Sequence, residues 1–248
     1  MTTPRRNPLA EAEAADRKRK LAIQIGVGAV LVALIAAIGI GFAVKKKDDD
    51  AAVAPPVAAQ IPATGGSVTE AGTILVGDPN AKVKVKIVAD LQCPACKQFE
   101  AANGVAVAQA AAAGTASVEY QIISFLDKAS TNQYSSRAAN AAYCVAKSDV
   151  SKFQGWLQTM FEKQTPEGGA GLSNEELVKI AVGAGYTDPA VATCINDRPY
   201  ANFVTQTTQS ALAGGVKSTP SVYINGQLQQ SDDLFTENGM TSLINAAK

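Results

Sequence analysis

Hydrophobic and polar positions divide this chain into two regimes. Residues 21–44, "LAIQIGVGAVLVALIAAIGIGFAV", carry no charge, and Gln24 is their one strongly polar side chain. At about 1.5 Å per residue, such a run reaches across the roughly 30 Å hydrocarbon core of a bilayer. It is longer than the hydrophobic region of a cleaved signal. Beyond residue 71 the pattern becomes that of an alternating α/β domain. "KVKVKIVAD" (82–90) alternates and then turns apolar, as a strand entering a buried sheet does. "KQFEAANGVAVAQAAAA" (97–113) reads as an Ala-rich helix that Gly114 ends. "SVEYQIISFL" (117–126) reads as a second strand, and about 131–213 is helical throughout. Within that stretch Ser173 and Glu176 have capping-box spacing, with Gly183 or Gly185 as the stop. "PSVYING" (220–226) predicts a short strand running into an Asn-Gly hairpin with "QLQQ" as its partner. "LFTENGMTSLINAAK" predicts a closing helix. The expected order is strand, helix, strand, large helical insert, hairpin and helix: an α/β sandwich with one layer grown out.

Between the regimes, residues 45–71 hold a charge block and then "AAVAPPVAAQIPATGGSVTEA", which reads as a flexible linker. The expected organisation is a tail at 1–20, a membrane anchor at 21–44, the linker at 45–71 and one domain at 72–248. Charge orients it. Arg5, Arg6, Arg17, Lys18, Arg19 and Lys20 precede the span. Only Lys45, Lys46 and Lys47 follow it, with Asp48, Asp49 and Asp50 directly after. That asymmetry predicts a cytoplasmic N-terminus in the plasma membrane and a domain in the cell envelope.

The balance of 22 basic and 22 acidic residues conceals a mildly acidic domain: residues 51–248 hold 13 basic and 16 acidic side chains. This gives no electrostatic case for nucleic acid. The chain has no histidine, which removes the commonest metal ligand and the usual general base.

Candidate chemistry therefore falls to four cysteines. Cys93 and Cys96, in "DLQCPACKQFE", lie where a strand gives way to a helix. There the sulfur of Cys93 faces the first N–H groups of the helix and the positive end of its dipole, a setting that stabilises thiolate. Pro94 suits the first helical turn, and Ala95 completes the central dipeptide. Cys96, one turn on, shares the face and can close the short disulfide. An exposed, acidic Cys93 and a more buried Cys96 are expected. Rival readings are a zinc site, which needs four ligands and finds only lone cysteines 48 and 98 residues beyond the pair, and a purely structural bridge. Cys144 and Cys194 both fall in the helical insert, as a second redox pair, a ligand set or a structural disulfide.

"CPAC" between strand and helix, with "STPSVYING" about 125 residues later, resembles the thioredoxin fold. The long insert resembles more narrowly the DsbA-type disulfide oxidoreductases. An anchored form with a second cysteine pair is similar to the envelope oxidases of high-GC Gram-positive bacteria. The resemblance covers about residues 72–248. It implies a cis-proline at Pro220 facing the disulfide, with the backbone of Thr219 offered to an extended substrate. It implies a structural Cys144–Cys194 link. It also implies a redox-active disulfide without cofactor or metal, unfolded exported proteins with free thiols as substrates, and a quinone-linked membrane re-oxidase. One position departs from the family. The buried acid that DsbA-type enzymes carry six residues before the first cysteine is Ile87 here, and the nearest acid is Asp90. Asp90 is read either as an aid to proton transfer at Cys96 or as a solvated carboxylate at a loop start. Trp156, the only tryptophan, is read as a core residue.

The function this implies is extracytoplasmic introduction of disulfides through Cys93 and Cys96. A reductase or isomerase of the same fold, and a tethered peptide-binding module with an inert pair, are the alternatives. A reporter fused after Lys248 is expected to be active only outside the cytoplasm. A mature chain beginning near residue 55–60 would show instead that the apolar run is cleaved as a signal.

Overall fold

A computed structural model of the chain describes residues 68–69 and 71–248. The expected anchor, the expected tail and nearly all of the expected linker lie outside the described residues. Among those described, no helix is long and apolar enough to cross a membrane. The expected α/β fold is present. A five-stranded sheet is ordered β1-β3-β2-β4-β5. Its strands are β1 (Ile74–Val76), β2 (Val83–Ala89), β3 (Ala116–Ile122), β4 (Ser221–Ile224) and β5 (Gln227–Leu228). β2 and β3 run parallel, joined by helix α1 (Pro94–Ala112), and the other pairs are antiparallel.

The pattern of β2 explains its place. Val83, Val85 and Ile87 face the main core, and Lys84 and Lys86 alternate with them to the opposite side. Val88 then breaks the alternation, because that opposite side is itself covered at this end. Val88 meets Ile123, Ala211 and Val216 in a second, smaller core. Burial on both faces is why the strand ends in a continuous apolar run.

Five helices stand between β3 and β4: α2 (Tyr134–Ser148), α3 (Phe153–Glu162), α4 (Asn174–Gly183), α5 (Pro189–Asp197) and α6 (Ala201–Ala213). The insert shares one core with the sheet. Trp156 is fully buried and stacks near Phe153, whose ring meets that of Tyr120 from β3. The hydroxyl of Tyr143 of α2 lies 3.0 Å from the carbonyls of both Gly72 and Ile122, sharing its one proton between them, and so fastens the insert to the sheet. Cys144 and Cys194 are joined in a disulfide that links α2 to α5. The Ser173–Glu176 capping box starts α4. At Gly171 a side chain would collide with the Tyr134 ring, and its φ of +66° is one that glycine adopts freely.

Three local expectations need correction. β1 has no counterpart in the sequence reading, since three residues give too short a run for a period to show. β3 stops at Ile122, four residues early, because Ser124 is drawn to Thr208 and Leu126 to Asp90. The closing helix α7 spans only Gly239–Ala246, after a single 3₁₀ turn at Asp232–Phe235. The cause is Asn103 of α1, fully buried. Its amide donates to the carbonyl of Leu234 and accepts from the N–H of Met240, both at 2.8 Å. These bonds hold the chain in a turn where a continuous helix would otherwise run. Asn103→Ala leaves both backbone groups without this partner in the interior. A loss of about 2 kcal/mol or more is expected in urea unfolding, with Cys93 reactivity unchanged.

Candidate active site

Cys93 is the N-cap of α1, and Pro94 occupies the first helical position. Both thiols are free. Cys96 is 1% exposed, as expected of the inner thiol, but Cys93 is only 7% exposed and so not the open sulfur anticipated. What covers it is the segment before β4. The Thr219–Pro220 peptide bond is cis, and the Cys93 thiol donates to the Thr219 carbonyl at 3.2 Å. The resemblance implied this neighbour but not how closely it lies over the sulfur.

The two thiols are driven apart electrostatically. Cys93 is pulled down from 9.0 to about 6. The Cys96 thiol hydrogen-bonded to it is the largest cause, followed by Thr219 and the backbone N–H groups of Cys96 and Ala95, all acting against burial. The helix end thus contributes but does not lead. Cys96 is pushed well above its usual range, first by burial and then by its bond to Cys93. One sulfur is fitted to carry negative charge and the other to keep its proton.

Asp90 is not a solvated loop carboxylate. It is fully buried and accepts three hydrogen bonds of 2.8 Å, from the backbone N–H of Gln92, the backbone N–H of Leu126 and the hydroxyl of Ser135. Burial raises it to about 6 in spite of these donors. Its backbone also contacts the sulfur of Cys96. The carboxylate joins the end of β2 to the segment after β3 and to the first turn of α2. Ile87, where the family carries its buried acid, faces the apolar core and pairs in register with Tyr120.

Two groups at the site escaped the sequence reading. Glu100, one turn after Cys96 on the buried stripe of α1, is pushed up by burial to about 7. It folds over Gly104 and lines a cavity of about 250 Å³ with Lys97, Gln158, Phe161 and Glu162. Its spacing from Cys96 was a legible signal. Gln164, beyond the end of α3, donates its side-chain amide to the carbonyls of Leu91 at 2.9 Å and Cys93 at 3.0 Å. Nothing in the sequence marked it. Among the described residues no cluster of His, Cys, Asp or Glu could hold a metal ion.

Strand, C-x-x-C helix start and facing proline together define a DsbA-like dithiol protein. A family model described as Thioredoxin matches residues 69–246, and the chain belongs to that family. Solved structures agree. The reduced disulfide bond oxidoreductase DsbG from Mycobacterium tuberculosis is 29% identical, with TM-score 0.63 over 73% of this chain and 89% of that one. Reduced DsbA from the same organism is 28% identical, with TM-score 0.59 over 71% of this chain and 100% of that one. MdbA, a thiol-disulfide oxidoreductase from Corynebacterium diphtheriae, is 20% identical, with TM-score 0.60 over 79% and 100%, a likeness of fold alone. No curated relative matches the chain. The enzyme class that the two Mycobacterium tuberculosis structures support is a protein disulfide oxidoreductase, whose working group is its own dithiol.

The shifts give the pH dependence a sign. Cys93 holds its proton less tightly folded than unfolded. Its stabilising contribution is therefore complete above 9.0 and is lost as pH falls to about 6. Asp90 and Glu100 run the other way, with contributions lost as pH rises to about 6 and about 7. Between about pH 7.5 and about pH 8.5 the Cys93 slope leads, because Glu100 has nearly finished titrating and Cys96, which keeps its proton in the fold, opposes it only toward 9.0. Reduced protein is expected to gain stability across that window in urea unfolding, and Cys93→Ser to stay flat. A flat wild-type curve would remove the stabilised thiolate.

Proposed function

We propose that the chain is an extracytoplasmic oxidase that introduces disulfide bonds into exported proteins through Cys93 and Cys96. The observation that carries this reading is the opposed pair of thiols: a sheltered Cys93 whose thiolate is stabilised, beside a Cys96 that keeps its proton. With the pair oxidised, a substrate thiolate attacks the sulfur of Cys93. The Cys93–Cys96 bond breaks, Cys96 leaves with the electron pair and takes up a proton, and a mixed disulfide remains. A second substrate thiolate attacks its own partner sulfur, closes the substrate disulfide and expels Cys93 as thiolate. Two electrons pass to the enzyme. A leaving group that is already comfortable as an anion favours that direction.

Thr219 supports substrate binding. Its carbonyl lies against the reactive sulfur, so an extended segment paired with this backbone would present a thiol directly to Cys93. Pro220, next to it, keeps a backbone N–H away from the sulfurs. Cys144–Cys194 holds the insert together and takes no part in exchange. Membrane tethering rests on the charge-free run at 21–44 and the basic residues before it. Each turnover leaves the enzyme reduced, so it needs an electron acceptor, and a quinone-linked membrane re-oxidase suits an anchored enzyme.

Stability of the two redox forms tests the direction. In an oxidant the reduced state is the better folded, and for this two-electron couple about 30 mV corresponds to about 1.4 kcal/mol. Reduced protein, with Cys144–Cys194 intact, is expected to melt above protein with Cys93–Cys96 closed. Refolding of a reduced ribonuclease should depend on Cys93. An oxidised form that melts higher would make the protein a reductase.

A further inference from the structure

We infer that Gln164, which the helical insert brings to the active site, is a positioning residue for Cys93: its amide fixes the N-cap backbone so that the N–H groups of Ala95 and Cys96 aim at the sulfur. The inference deepens the proposed function and rests on Cys93 being the attacking thiol.

The geometry is specific. Cys93 has φ −73° and ψ 121°, outside helical values, while its carbonyl already accepts the first helical bond from Lys97 N at 3.2 Å. One torsion, ψ of Cys93, sets both the direction of that carbonyl and the direction of the peptide that follows. Holding the carbonyl therefore holds the N–H groups beyond it relative to Sγ. Gln164 Nε2 does this, and the same nitrogen anchors Leu91 two residues earlier. The loop is gripped on its other side by Asp90, whose carbonyl accepts from Cys93 N at 3.0 Å. Loop 90–93 is thus held from two sides, by Ser135 through Asp90 and by Gln164 directly, and both come from the insert.

Electrostatics point the same way. The C-terminal end of α3 meets the N-terminal end of α1, and bare carbonyls there would disfavour an anion nearby. Lys97 Nζ donates to the carbonyls of Glu162 at 3.2 Å and Gln164 at 3.5 Å, and the Gln164 amide covers those of Leu91 and Cys93. The ionisable groups that face Cys93 are Cys96 from α1 and Asp90 just after β2, while the Lys97 ammonium is turned to the carbonyls at the end of α3. Thr219, before β4, brings a hydroxyl and a carbonyl and no charge. Without Gln164 the N-cap is freer to turn about ψ, the N–H groups drift from the sulfur, and the thiolate loses part of its support.

The test compares Gln164→Met, which keeps the length and removes the donors, with Gln164→Lys, which restores a donor at similar reach. Alkylation of Cys93 by iodoacetamide is followed in the full chain in detergent, with Cys93 and Cys96 reduced and Cys144–Cys194 closed. Gln164→Met is expected to react about tenfold more slowly than wild type at about pH 5 and at the same rate by about pH 9, where Cys93 is thiolate in both proteins. Gln164→Lys is expected to react at least as fast as wild type throughout. An unchanged Met variant overturns the inference. So does a Met variant slowed equally at every pH, which is a packing effect, or a Lys variant as slow as Met. A wild-type Cys93 no more reactive at low pH than an ordinary thiol would instead defeat the proposed function itself.

Discussion

The sulfur of Cys93 has to carry negative charge in a place that supplies no cation. Its stabilising partners are a neighbouring thiol, Thr219 and two backbone N–H groups. The one ammonium on the same turn, Lys97, is spent on the carbonyls at the end of α3. Dipoles act at short range and depend steeply on direction, so a thiolate held this way is only as stable as the backbone around it is fixed. Most of the architecture near the site serves that requirement. The end of β2, the segment after β3, the first helix of the insert and the end of α3 all converge on residues 90–93.

The insert therefore has a second role besides enlarging the core. It is fastened to the sheet by Tyr143, tied internally by Cys144–Cys194, and from that footing reaches the active-site loop with Ser135 and Gln164. A covalent tie of this span contributes about 4 kcal/mol in the chain-entropy view.

The departure at Ile87 has a consequence of its own. Where the resemblance implies one acid beneath the second cysteine, this chain has an apolar side chain there and two buried acids elsewhere. Asp90 is saturated with donors and knits the loop. Glu100 lies along α1 against a cavity, folded over Gly104 rather than back toward Cys96. The two differ in what holds them: Asp90 has three donors, whereas Glu100 is shifted by burial alone.

The sequence by itself determined the element order from β2 onward, the position of the dithiol and the break between an apolar run and a folded domain. Each is written in local period, in capping chemistry or in charge flanks, and local signals survive without knowledge of the fold. Cys93 at a strand-to-helix junction already implied a lowered pKa, because the helix start follows within a few residues. Tertiary structure decided everything that required distant residues to meet. It turned Asp90 from a loop carboxylate into a buried clamp, shut Cys93 beneath Thr219, cut the last helix short through Asn103 and delivered Gln164 to a loop 71 residues away. Hydrogen bonds of that kind have no period to read. They exist only once hydrophobic packing has fixed which surfaces touch, and their partners are then set by geometry to within a fraction of an ångström.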